Sequence, residues 1–302
     1  AEESSVPLGI RQDTMESALW DLDDGDQHLL VLGDAKCGKS TTLRTIARGL
    51  IAAGTAPGGI VVSSADVDAT AGFVEETGAK LAYSNVDLLE RAGEGAIVVL
   101  AVKPYAVGGV LDEIREAAAR RGSVIVSVAA GTPIEFLESH LEPGQPVVRT
   151  MPNMAAAVGA SVTAYACNAP AAPRADDVAS VLASIGIAEP MAEQDFSAFS
   201  AIAGCSPAFT FGYIDAMARA AVKNGLPKAV ATRIAAQAVY GAAKLLLEKL
   251  DAGASAASLA DAVQSPGGTT VAGVVELEQA GFGAAVVRGV QASIDRDKEL
   301  LG

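Results

Sequence analysis

The sequence predicts a doubly wound α/β domain built on a parallel sheet, followed by an all-helical domain. Three observations point there. Short continuous apolar runs alternate with helix-length segments up to about residue 190, the first run stops at a glycine just before a helix, and beyond Phe196 apolar residues recur at helical spacing. Strands alternating with helices imply right-handed crossovers, parallel pairing and helices on both faces. Ligands of such sheets sit outside the carboxyl ends of the strands.

Residues 1–27 are polar and acidic, ending Asp21-Leu22-Asp23-Asp24-Gly25-Asp26, and read as an N-terminal arm. His28-Leu-Leu-Val-Leu32 runs apolar as far as Gly33, the pattern of a strand buried on both faces. A helix from about Lys39 to Ala53 follows, with Gly54 as its stop signal. Then come a strand at 59–63, a helix at 69–77, a strand at 96–101 and a helix at 108–121. A strand at 123–129 and a short helix at 134–140 continue the alternation. Further short strands are expected at 147–149, 161–167 and near Ala188, with a helix at 176–184. Phe211, Ile214, Ala218, Ala221 and Val222 mark one later helix, and residues 229–250 form a long Ala/Leu-rich one. The expected domains are thus 28–190 for the α/β half and 191–302 for the helical half.

The chain has 302 residues, half of them apolar, and a mean hydropathy of +0.33, enough core for one large or two ordinary domains. A net charge of −14 repels phosphate backbones and anionic lipid, which disfavours nucleic acid and membrane surfaces as partners. Cys37, Cys167 and Cys205 are odd in number and far apart, without disulfide or metal spacing, as in a reducing cytoplasm. With His28 and His140 as the histidines, neither a His-rich metal site nor a Ser/His/Asp triad is expected. No apolar run reaches the ~18 residues of a membrane helix and no signal peptide is legible, so the expected location is cytoplasmic.

The segment Gly33-Asp34-Ala35-Lys36-Cys37-Gly38-Lys39-Ser40 admits two readings. As GxxxxGK[ST] between a strand and a helix it is a P-loop, whose amides curl round phosphate while Lys39 reaches the terminal oxygens and Ser40 holds magnesium. With its lead-in from Val6 it resembles the Walker A segment of FtsK-like type VII secretion ATPases over the first 45 residues or so. No later strand ends in the carboxylate that anchors magnesium, so an ATP/Mg module is the alternative. The same residues set Gly33, Ala35 and Gly38 at the offsets of the dinucleotide fingerprint, with Ala35 in the middle glycine's slot and Lys36, Lys39 and Ser40 able to face phosphates. Pyrophosphate would then rest on the helix N-terminus.

From Gly59 onward, six fragments follow in order: Ser84-Asn85, Leu100-Ala101-Val102-Lys103-Pro104, Val128-Ala129-Ala130-Gly131, Met151-Pro152-Asn153, Ala203-Gly204-Cys205-Ser206-Pro207-Ala208 and Asp261-Ala-Val-Gln-Ser265-Pro-Gly-Gly-Thr-Thr270. Each alone is common; in this order and spacing they resemble pyrroline-5-carboxylate reductase. The resemblance implies reduction of 1-pyrroline-5-carboxylate to L-proline by NADPH or NADH, the last step of proline biosynthesis, in a homodimer or larger homo-oligomer. It implies cofactor contacts from Asn85 near the ribose, from Ala101, Lys103 and Pro104 at a strand end, and from Ala130, Gly131 and Asn153 beside the nicotinamide. Ser63 and Ser64, ending the strand after the first helix, are added as candidate cofactor contacts from their own chemistry. It also implies that Ser265, Gly267, Gly268, Thr269 and Thr270 bind the imino acid, with Thr270 assisting protonation of the ring nitrogen. Amides and hydroxyls at a helix start suit a small carboxylate. No metal is implied. Ser63 and Ser64 suit a 2′-phosphate whereas Asp66 opposes one, so the choice between NADPH and NADH stays open. The first helix reads longer than the family's by roughly one and a half turns. The two resemblances meet near Thr45–Ile46, as they would in a hybrid chain. Glu135, Glu138 and Glu142 read as a solvated face, Cys205 as a packed small residue, Cys37 as incidental and His28 as a strand-edge residue.

Overall fold

The computed structural model describes the backbone of residues 5–10, 17–21, 29–33, 39–52, 54–64 and 67–301, and side chains from Arg44 onward except those of 53, 65–69, 301 and 302. Two compact units divide the chain, Ala1–Phe199 and Ser200–Gly302. The segment 191–199, read above with the helical half, belongs to the first of them.

The first unit opens with β1 (Ser5–Ile10) and β2 (Ser17–Asp21), paired antiparallel with Val6 opposite Trp20. The expected polar arm therefore contains a strand pair. Its Val6-Pro-Leu8-Gly-Ile10 alternation is the period-2 signal that the acidic composition masks. Next come β3 (Leu29–Gly33), α1 (Lys39–Ala52), β4 (Ile60–Ser64), α2 (Val67–Thr77), β5 (Lys80–Leu81) and α3 (Asn85–Arg91). The second half-turn of the winding is β6 (Ile97–Ala101), α4 (Pro104–Arg121), β7 (Val124–Ser127), α5 (Ile134–Ser139) and β8 (Val147–Pro152). The unit closes with β9 (Ser161–Cys167), α6 (Ala175–Ala183), β10 (Gly186–Pro190) and the single turn α7 (Phe196–Phe199).

Among the described residues, one sheet runs in the order β10-β9-β8-β7-β6-β3-β4-β5. From β5 to β8 every pairing is parallel, as alternation predicts, and the winding reverses direction between β3 and β6. The parallel sheet carries one antiparallel step at its edge, where β9 runs antiparallel to β8 and β10 parallel to β9. The connection from β8 to β9 is one short 3-10 turn, Met154–Val158, too short for a crossover, so the chain folds back.

The continuous apolar runs are explained by burial on both faces. Ile60, Val62, Ile97, Val99, Val124, Val126 and Val148 join Ile46 and Leu50 of α1, Phe73 of α2, and Val178 and Leu182 of α6. The alternate residues Val61, Val98, Leu100, Ile125 and Val147 join Leu88 and Leu89 of α3 and Leu111 and Ile114 of α4. Fully burying each such side chain is worth about 1.5–3 kcal/mol. Small residues permit close approach where it is needed: a Cβ at Gly49 of α1 would sit 2.4 Å from the Ser184 carbonyl, and Gly186 takes φ +147° against the Ser161 backbone. Helix α4 begins four residues before its expected start because Pro104 occupies its first turn, where a missing N–H costs nothing; Gly122, at φ +62°, closes it.

The second unit follows a π-helical turn, Ser200–Cys205, with α8 (Ser206–Lys223), α9 (Lys228–Leu250), α10 (Ala256–Ala262), α11 (Thr269–Gln279) and α12 (Phe282–Leu301). Ala201, Ala203, Ala218, Ala231 and Ala235 are buried in it, whereas Phe211, Ile234, Leu247 and Val287 are more than half exposed. Among the described residues no single helix is long and apolar enough to cross a membrane.

Candidate active site

Register places the strand ends of the first unit side by side. Gly33 pairs with Ser64 on one flank and with Ala101 on the other, so three small residues line the point where the winding reverses. Next to them Leu100 pairs with Ser127, and Ser127 with Arg149. The candidate cofactor residues Gly33, Ser63, Ser64, Ala101, Lys103 and Pro104, with Ala130, Gly131 and Asn153, therefore sit at or just past the carboxyl ends of β3, β4, β6, β7 and β8. Ala35, Lys36 and Gly38 lie outside the described residues, as do the side chains of Lys39 and Ser40. The backbone of α1 nonetheless starts at Lys39, and neither α1 nor α4 carries an acidic residue in its first turn. Two helix N-termini whose first turns carry no carboxylate, beside strand ends of small residues, fit a dinucleotide.

On the β4 flank, Ser63 is buried and its hydroxyl lies 3.4 Å from Oδ1 of Asn85. Asn85 opens α3 and donates through Nδ2 to Glu113 of α4 at 2.7 Å. Ser84 caps α3 by accepting from the amide of Asp87. Past β6, Lys103 precedes the α4 start, and its Nζ lies 5.8 Å from the centre of the exposed Tyr105 ring.

The loop after β7 is held in shape by hydroxyls. Thr132 donates to the Ala129 carbonyl at 2.7 Å, the Ala129 amide donates to Ser127 Oγ at 3.2 Å, and Thr150 donates to the Ser127 carbonyl at 2.9 Å. Between these anchors Ala130 and Gly131 are exposed, and Gly131 adopts φ +70°. Ser127, Thr132 and Thr150 are not singled out from sequence; Ser127, a hydroxyl ending the apolar run of β7, is the one that carries a local signal. Past β8, Asn153 accepts from the Ala155 amide while its own amide donates to Ser161 Oγ.

In the second unit, Ser265 to Thr270 form an exposed turn opening α11. Gly267 takes φ +72°, a conformation that favours glycine, and the Gly268 amide donates to the Ser265 carbonyl at 3.0 Å. A Cβ at Gly268 would lie 2.7 Å from Ser265 Oγ and 3.0 Å from the Ser265 carbonyl oxygen, so a side chain there would crowd the turn. Thr269 and Thr270 occupy the exposed first turn of α11, which has no acidic residue, and the helix's free amides face any anion placed there.

The residues read as structural are mostly engaged elsewhere. Glu138 accepts from Asn168, and Glu142 pairs with Arg115 at 2.6 Å. Burial pushes the Cys167 thiol up, which makes it a poor nucleophile, and Cys205 is half-buried in the π-helical turn. Cys37 and His28 lie outside the described residues.

Comparison with known proteins adds independent findings. A family model described as pyrroline-5-carboxylate reductase dimerisation matches residues 193–300, and one described as NADP oxidoreductase, coenzyme F420-dependent, matches residues 38–131. The pyrroline-5-carboxylate reductase of Escherichia coli (strain K12) is 37% identical over 259 residues, covering 85% of this chain and 94% of that protein. The structure of a pyrroline-5-carboxylate reductase from Coxiella burnetii superposes with a TM-score of 0.84 at 28% identity, covering 92% of this chain and 99% of that one. That of Plasmodium falciparum pyrroline carboxylate reductase with NADP bound gives a TM-score of 0.72 at 25% identity, covering 92% and 99%.

These matches bear on the two readings of the phosphate loop. The oxidoreductase model takes in residues 38–45, and 92% of the chain is more than residues 46–302 supply. Likeness to the reductases therefore extends in front of the expected junction at Thr45–Ile46, and no match here supports a Walker A ATPase segment or a hybrid. With a Rossmann-type α/β unit, a helical unit matched by the dimerisation model and 37% identity across most of the chain, this protein belongs to the pyrroline-5-carboxylate reductase family.

Proposed function

We infer that the protein reduces 1-pyrroline-5-carboxylate to L-proline with NAD(P)H, as the last step of proline biosynthesis. The observation that carries this reading is the exposed Ser265–Thr270 turn, with Gly267 at φ +72°, at the start of α11 in a chain of this family. Ser265, the Gly267 amide and Thr269 hold the carboxylate of the imine, with Gly268 shaping the turn through its own bond to the Ser265 carbonyl. The Thr270 hydroxyl hydrogen-bonds the ring nitrogen and steers a proton to it, which makes the neighbouring carbon a better hydride acceptor. When bound, the reduced nicotinamide supplies that hydride. One hydride reaches carbon and one proton reaches nitrogen, so the C=N bond becomes the C–N bond of proline.

For the cofactor we assign the pyrophosphate to the Gly33–Ser40 loop and the N-terminus of α1, with Ala35, Lys36, Gly38, Lys39 and Ser40 as its contacts. Ser63, Ser64 and Asn85 face the ribose, while Ala101, Lys103 and Pro104 border the path to the nicotinamide. Ala130, Gly131 and Asn153 flank its ring. The Walker-A-like spelling of the loop is then a variant of the dinucleotide turn, since the glycines serve phosphate in either case. We assign functional domains of 28–190 and 191–302, a homodimer or larger homo-oligomer formed through the helical half, and a cytoplasmic location. A net charge of −14 argues against nucleic acid or anionic lipid as partners.

Two measurements test the reading together. Imine-dependent oxidation of NADPH and NADH should be measurable with the full chain, and its absence with both cofactors sinks the assignment. Thermal melting with NADPH, NADH and ATP-magnesium compares the loop's ligands, because a ligand bound to the native state raises the midpoint by mass action. A dinucleotide should raise it, and a rise with ATP-magnesium alone favours the nucleotide-module alternative.

A further inference from the structure

Arg149 of β8 is a buried cation, its side chain only 10% exposed. Its Nη1 donates to Oε1 of Glu193 at 2.8 Å, and its guanidinium carbon lies 4.5 Å from the centre of the Phe196 ring. The same Glu193 oxygen accepts from the backbone amide of Ile134 at 2.8 Å. Ile134 is the first residue of α5, where no side chain of the preceding Pro133 serves as a cap. One carboxylate oxygen from the segment before α7 thus ties β8 to the N-terminus of α5.

This bond has a particular place in the fold. The loop between β7 and α5 contains Ala130 and Gly131. Its near end is fastened locally, by Ser127, Thr132 and Thr150. Its far end is fastened by Glu193, which stands 59 positions away in sequence. Ile134 and Met151 also pack against the small cluster that Phe196 forms with Ala164 and Ala166 of β9. This ion pair, with Arg149 buried and Glu193 about a third exposed, is weak evidence of stability because desolvation offsets most of the attraction. Resting on the reductase reading, we propose that Glu193, through Ile134 and Arg149, is a positioning residue for hydride transfer: it sets the Ala129–Pro133 loop at the distance from β8 that the nicotinamide requires.

The test uses the full-length protein, saturating imine, and reduced cofactor deuterated at the transferred position. Displacing reacting groups by about 1 Å can cost about a hundredfold in rate. Glu193→Ala is expected to lower kcat about tenfold or more, leave both KM values within about threefold and raise the primary isotope effect, because hydride transfer becomes rate-limiting. Glu193→Gln should recover kcat to within about threefold of the parent, since its amide oxygen still accepts from Ile134. A folded Glu193→Ala protein with unchanged kcat and isotope effect overturns the proposal. So does a fall in kcat matched by lost cofactor-binding sites with the isotope effect unchanged, which is merely structural damage. If Glu193→Ala does not fold, Glu193→Asp, with its charge kept and its oxygen drawn back, must itself lower kcat and raise the isotope effect; parent-like values overturn the idea. A parent protein inactive with the imine would instead defeat the reductase reading itself.

Discussion

The α/β unit and the helical unit solve the burial problem in opposite ways. In the α/β unit, alternate residues of each central strand enter two separate cores, and large side chains such as Leu100, Leu111, Ile114 and Ile125 are wholly buried. In the helical unit the buried positions are alanines, while Phe211, Ile234, Leu247 and Val287 are exposed. Exposed apolar area on this scale marks a surface meant to be covered. The dimerisation model matched over residues 193–300 lies on that unit. The central strands of one unit are thus covered within the chain, whereas the helices of the other leave apolar faces exposed, as the proposed self-association requires.

The comparison sharpens most strongly at Thr270. Positioned proton transfer contributes about 10²–10⁴-fold, so Thr270→Ala should lower kcat on that scale with helix content and melting unchanged, and Thr270→Ser should restore part of it. Steady-state kinetics beside circular dichroism would show this, and a Thr270→Ala enzyme with parental kcat removes the residue from the chemistry. Next in size is a charge on the exposed face of α9. Ile234→Glu should weaken self-association by roughly thirtyfold or more, as loss of an interface hot spot of about 2 kcal/mol does. Sedimentation velocity would then show a smaller species with its α/β unit still folded; an unchanged oligomer means that this face is not the interface.

Core truncations separate the units by stability. Leu100→Ala empties a wholly buried site and should cost about 2–5 kcal/mol in denaturant unfolding, whereas Leu247→Ala, at a dilution where the protein is monomeric, should cost less than about 1 kcal/mol. Equal losses would erase the contrast drawn above. The smallest effect concerns acid. Glu90 accepts from Arg121 and Arg120, which hold its carboxyl below the usual glutamate value. A depressed folded value gives stability that is present above the unfolded value and lost as pH falls through the folded one. Glu90→Gln should therefore lower the melting point by about a degree near neutrality, and by less as pH drops below the glutamate range. Asp215 is held low in the same way by Lys228, so acid sensitivity should be shared by both units.

Much of this could be read before any coordinates, because it depends on local periodicity. Runs such as Ile97–Ala101 are apolar at every position only when both faces are covered, which identifies central parallel strands. The Ser265–Thr270 turn was legible as a helix start, because a Pro-Gly-Gly turn directly precedes Thr269. The β1–β2 pair was obscured by an acidic composition, and the antiparallel return of β9 depends on a connector length that periodicity does not report.

Sequence alone determined the α/β winding, the helical second half and the ordered fragments of the family, since each rests on residues close together along the chain. Tertiary structure decided which residues meet across long separations. Arg149 and Glu193 stand 44 positions apart, and neither lies in a motif. It also decided that the apolar stripes of the helical unit remain uncovered: helical spacing shows that a face is apolar, and only the packed chain shows what lies against it.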